Sequence, residues 1–90
     1  MADDFDRQIS KAKDQHRTLN KMIDGHRRLI READQGIARM RRIPGSDRQV
    51  QQFKDQQRGW NKDIDGWRQD IKQLDRQVNL LKDMQKRSRR

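Results

Sequence analysis

Apolar residues recur in this chain at alternating steps of four and three, and that spacing admits few folds. The first series runs Phe5, Ile9, Ala12, His16, Leu19, Ile23, His26, Ile30, Ala33, Ile37, Met40. The second runs Val50, Phe53, Gln57, Trp60, Ile64, Trp67, Ile71, Leu74, Val78, Leu81, Gln85. Nine of the eleven positions in each series are apolar. A mean step of about 3.5 residues is the coiled-coil period, with the seam at heptad positions a and d.

Composition removes the competing architectures. Only 29% of the 90 residues are apolar and 41% are charged, too little apolar stock for a layered globular interior. Such a balance also suits disorder, but 18 of the apolar residues sit on the two seams, which favours paired helices. No apolar run exceeds two residues, so neither a membrane-spanning helix nor a secretory leader is expected. The expected address is cytoplasmic or nuclear rather than secreted. With no cysteine there is no disulfide or thiolate chemistry.

The only proline lies between the two series, in Ile43-Pro44-Gly45-Ser46. Pro44 cannot continue a helix, Gly45 has a permissive backbone, and Ser46 or Asp47 can cap the helix that follows. The sequence therefore predicts an all-α chain forming one antiparallel coiled-coil hairpin: helix 1 over about 3–42, a hinge at 43–46 and helix 2 over about 47–87. Pairing residues whose numbers sum to 90 joins an a position to a d position in every layer, as in Ile30 with Trp60 and Ile23 with Trp67. The same register sets Asp6 opposite Lys82, Lys13 opposite Asp75, Asp34 opposite Lys54 and Arg41 opposite Asp47 at e positions.

The two helices are a tandem repeat with an offset of 41. Asp6-Arg7-Gln8, Lys13-Asp14-Gln15 and Ile23-Asp24-Gly25 recur as Asp47-Arg48-Gln49, Lys54-Asp55-Gln56 and Ile64-Asp65-Gly66. Fifteen of the 36 positions from 6 to 41 are identical after the shift, many of them on the solvent side, where a shared heptad does not require it. Combined with the pairing rule, the repeat gives the hairpin a pseudo-twofold near Gly25 and Gly66. This points to a homodimeric helix, ancestral or designed, duplicated and joined by the Pro-Gly turn; the alternative is a stretch of a longer repeat array in which each helix is one repeat.

Catalysis has no foothold: there are three Ser, one Thr, no Tyr and no Cys, and a two-helix hairpin is expected to have no concave site without a partner. No cofactor, small-molecule substrate or metal is expected. His16 and His26 lie ten residues apart on the seam, not at the four-residue spacing that aligns two ligands on one helix face. Trp60 and Trp67 fall at d positions and read as core rings rather than base-stacking platforms. Gln57 faces the small Ala33 and reads as a register-setting polar layer.

Two features remain that could engage a partner. Met22, Leu29, Ile43 and Met84 share the g positions or their continuation on one flank, with Gly36 in the same row. This row reads either as a seam widened for the bulky tryptophans or as the candidate self-association interface, through which two hairpins would form a four-helix bundle. The second feature is the net charge of +9, with a pI near 10.8. Its clusters are Arg39, Arg41, Arg42 and Arg48 at the hinge and Lys86, Arg87, Arg89 and Arg90 at the C-terminus, and Arg27, Arg28 and Arg31 add a mid-helix group. The expected function is thus a non-catalytic coiled-coil interaction and oligomerisation module that binds itself or another helical protein. The alternative is a basic hairpin that binds the RNA or DNA backbone with little sequence preference.

Overall fold

The structure, a computed structural model, describes residues 4–89. It consists of two long helices packed against each other, α1 (Asp4–Met40) and α2 (Asp47–Ser88), joined by a six-residue turn. The hairpin measures 71 × 18 × 12 Å. Each helix opens on acidic residues, Asp4 and Asp6 in α1 and Asp47 in α2. Each closes on basic ones, Arg39 in α1 and Lys86 and Arg87 in α2. Both ends therefore complement the helix dipole.

The heptad seam holds the helices together. All 22 seam positions are buried or half-buried, with Ile9, Ala12, Ile23, Ala33, Ile37, Ile64 and Leu81 the most deeply enclosed. Outside the seam only Gly36, Ser46 and Lys54 lose comparable exposure among the described residues. Side-chain contacts report an antiparallel register centred on a residue sum of 90. His16 meets Asp75 and Asp6 meets Gln85, each summing to 91. His26 meets Asp63 and Gly36 faces Phe53, each summing to 89.

The polar seam residues are tied across the helices. Gln57 Nε2 donates to the Ile30 carbonyl at 3.0 Å and to Asp34 Oδ1 at 2.6 Å. Gln85 Nε2 donates to Asp6 Oδ1 at 2.6 Å. The carboxylates of Asp6, Asp34 and Asp75, expected opposite lysines, thus meet seam side chains instead. An a-position amide or imidazole reaches the facing e carboxylate from inside the seam, where less water competes than around a lysine at e. Among the described residues the two ion-pair contacts within 4.0 Å both join a histidine to an aspartate.

The turn departs from the sequence reading in two respects: α1 ends at Met40, so the turn spans 41–46 rather than 43–46, and Ser46 plays another part. Ser46 does not cap α2, since its side chain makes no hydrogen bond to that helix's first amides. Its buried hydroxyl is instead shared between the Met40 and Ile43 carbonyls, the latter at 2.7 Å, and so closes the C-terminal end of α1. Gly45 makes this possible with φ +78°, a left-handed conformation that suits glycine. The Ser46 carbonyl then accepts the first backbone bond of α2, from the Val50 N–H at 3.1 Å.

Candidate functional site

An antiparallel hairpin has two flanks, because g positions of one helix lie beside g positions of the other and e positions beside e. Of the residues expected to mediate self-association, Met22 and Leu29 are each 39% exposed, Met84 43% and Ile43 54%. Leu80 adds to them at a c position adjoining the g row, where it is 60% exposed, although the heptad reading does not single it out. These five are the large apolar side chains that the described residues leave exposed; Met22, Leu29, Leu80 and Met84 lie on the g flank of the helices, and Ile43 lies in the turn beyond α1. Gly36 serves a different end from the one expected. A β-carbon there would lie 3.0 Å from the Phe53 ring, so the close approach it permits is used inside the hairpin.

Charge is sorted around the hairpin although it is evenly spread along the chain. Of the 23 lysines and arginines, only Lys11, Arg39 and Arg87 fall at g or c positions. They are matched there by Asp4, Glu32, Asp63 and Asp70. The remaining twenty basic and ten acidic residues lie at e, b and f, apart from the g flank. One side of the molecule is therefore close to neutral and carries the exposed apolar residues, and the rest carries the whole cationic excess. A count along the sequence averages the two sides and hides this; assigning each charge its heptad position reveals it.

Each flank has its own grooves between the helices. On the g flank, Leu19 and Leu74 line a groove of about 560 Å³ bordered by Gln15, Thr18, Asp70 and Gln77. A smaller one of about 220 Å³ lies nearer the turn, between Met40, Gln49, Gln52, Phe53 and Gln56. On the e flank a groove of about 620 Å³ is bordered by Arg27, Arg28 and Arg31 of α1 and Arg68 of α2, with Asp24, Asp65 and Asn61 in its walls. No described carboxylate approaches any of those four guanidinium groups within 4.0 Å.

The basic clusters read from the sequence are only partly gathered. Arg41, Arg42 and Arg48 are exposed around the turn, whereas Arg39 projects from the neutral flank. Lys86, Arg87 and Arg89 are exposed near the end of α2, again on different faces, and Arg90 lies outside the described residues. The middle of the e flank thus concentrates more arginine around one groove than either terminal cluster does.

The histidines have local partners. His16 Nδ1 lies 3.1 Å from Asn20 Nδ2, and its Nε2 lies 3.6 Å from Asp75. His26 Nε2 lies 3.4 Å from Asp63 and its ring packs edge-on against Trp67, centroids 4.6 Å apart at 78°. Among the described residues no three His, Cys, Asp or Glu converge as a metal-binding group. Nor is any described helix long and apolar enough to cross a membrane. Comparison with protein-family models, curated proteins and solved structures found no match.

Proposed function

We propose that this chain is a non-catalytic helix-packing module that self-associates through its g flank, two hairpins forming a four-helix bundle. The observation that carries the reading is the coincidence of two independent distributions on one surface. The exposed large apolar residues of the helices, Met22, Leu29, Leu80 and Met84, all lie there, and nearly all the basic residues lie elsewhere. Interface cores are depleted of charge and enriched in Met and aromatic residues, and the half-buried d-position rings of Trp60 and Trp67 adjoin this flank. A flank of 71 by 18 Å is also ample for an interface of roughly 800 Å² per partner.

Association adds what a lone hairpin lacks, since two helices enclose little apolar area per residue. Stability coupled to association depends on concentration by mass action. The melting temperature should therefore rise as the protein is concentrated. A melting temperature independent of concentration across the micromolar to millimolar range would remove the reading.

A second reading rests on the other side of the molecule. Arg27, Arg28, Arg31 and Arg68 border one groove and have no described carboxylate within 4.0 Å. Such a surface suits the phosphates of RNA or DNA, bound with little regard to sequence. The two readings use different flanks and do not compete for residues.

A further inference from the structure

The g flank is nearly palindromic, and from this we infer that its partner is a second copy of this chain, laid antiparallel, α1 on α1 and α2 on α2, about a twofold axis level with Gly25 and Gly66. This inference rests on the reading of the g flank as a self-association surface and specifies how that surface is used.

The register supplies a common scale. Placing each α2 residue at the α1 position opposite it, 90 minus its number, sets Met84 level with position 6, Asp70 with 20, Gly66 with 24, Asp63 with 27 and Gly59 with 31. Met22 and Leu29 are then equidistant from a point between 25 and 26. Reversing a second copy about that point brings Met22 onto the partner's Leu29, and Leu29 onto the partner's Met22. It also places Asp63 over the partner's Gly66 and Asp70 over the partner's Gly59. At Gly66 and Gly59 an added β-carbon would have nothing within 4 Å, so open space receives each aspartate.

A twofold dimer of two hairpins has one other arrangement, with the axis along the helices. That arrangement lays α1 on the partner's α2 at equal height, Met22 against the partner's Asp70 and Leu29 against the partner's Asp63. Apolar side chains would press on the two carboxylates and strip their water, whereas a glycine opposite each leaves room for it. The antiparallel arrangement has one like-charge apposition, Lys11 with the partner's Arg39. Both are long side chains at outer c positions, where they can spread into solvent. Isologous contact of this kind closes at two copies and leaves no free flank to propagate. Each copy's arginine-lined e flank then faces outward, away from the interface.

The chain has no cysteine, so single cysteines report the geometry directly. Chains carrying Met22→Cys and chains carrying Leu29→Cys, both exposed positions outside the seam, are mixed in equal amounts under oxidised glutathione. In the antiparallel dimer position 22 of one copy faces position 29 of the other, whereas the two copies of position 22 are offset by about 10 Å along the axis, at ~1.5 Å per residue. A disulfide spans at most about 7 Å between α-carbons, so the mixed disulfide should exceed either homodisulfide roughly tenfold. A mixture of Leu29→Cys and Asp63→Cys chains should give no such excess. If that second mixture crosslinks and the first does not, the copies lie parallel and the inference is overturned. Light scattering on the uncrosslinked wild type separates the two levels: a dimer mass without the 22–29 product sinks only the arrangement, and a monomer mass at millimolar concentration sinks the self-association reading beneath it.

Discussion

The Phe53 ring fills the space that a side chain on Gly36 would need, its Cζ 3.0 Å from the position of a β-carbon there. Gly25, Gly59 and Gly66 are also helical, yet nothing lies within 4 Å of a β-carbon at any of them. The four glycines share a residue type and a flank but differ in what an alanine would meet.

Gly25→Ala should therefore stabilise the hairpin by about 0.5–1 kcal/mol, from helix propensity alone. For a chain of this size that is a rise of roughly 4–8 °C in melting temperature per kcal/mol, readable by circular dichroism. Gly36→Ala should gain nothing or lose stability, because the half-buried Phe53 ring must move aside to admit the methyl group. Equal gains at both positions would show that Phe53 does not rest on Gly36.

At the turn, Ser46→Ala should cost about 1 kcal/mol, the usual net loss of an intramolecular hydrogen bond, because the hydroxyl no longer satisfies the Met40 and Ile43 carbonyls. Gly45→Ala should cost a similar amount, roughly 1–2 kcal/mol, because a β-carbon is disfavoured at φ +78°. Urea unfolding checks both. The serine effect should appear as fraying at the end of α1, seen as faster amide exchange at Arg42 and Ile43, with α2 unaffected. Fraying confined to the start of α2 would instead restore the helix-capping role.

Gln57→Leu should raise stability and lower specificity. The Gln57 amide bonds to Ile30 and Asp34 fix the register, yet a polar group at an a position costs apolar packing. Intramolecular crosslinking between Ile37→Cys and Phe53→Cys in one chain reads the register. The crosslink should form readily when Gln57 is retained and compete with shifted products when Gln57→Leu is added. Lower thermal stability in the variant would mean that the amide contributes net free energy rather than register alone.

Much of this molecule is legible in the sequence because the heptad is a one-dimensional code. The alternating steps name the seam residues and the residue sum names the layers, and each seam residue is indeed enclosed. What the code does not carry is side-chain reach. It sets Asp34 opposite Lys54, but the shorter path runs from Gln57 within the seam. Nor does it carry turn conformation, which decides that the Ser46 hydroxyl points back at α1. Leu80 escapes the code because a c position is ordinarily solvent, and its place beside Met84 matters only once the g flank is seen as a surface.

The arginine groove makes a separate prediction. If Arg27, Arg28, Arg31 and Arg68 bind phosphates, changing all four to Gln should flatten the dependence of log affinity on log salt by roughly 0.7–0.9 for each phosphate no longer engaged. Changing Arg41, Arg42 and Arg48 should flatten it less. Filter binding to a homopolymeric RNA across a salt series reads this. Equal effects from both sets would assign the affinity to net charge rather than to the groove.

The g flank is tested most directly by mass in solution. Light scattering of the wild type should give two copies of the 10.9 kDa chain. The Met22→Asp, Leu29→Asp variant should give one, with its helicity largely retained, since both residues lie outside the seam. A wild-type mass of a single chain at millimolar concentration, or a double variant that still forms a dimer, would contradict the assignment of this flank as the interface.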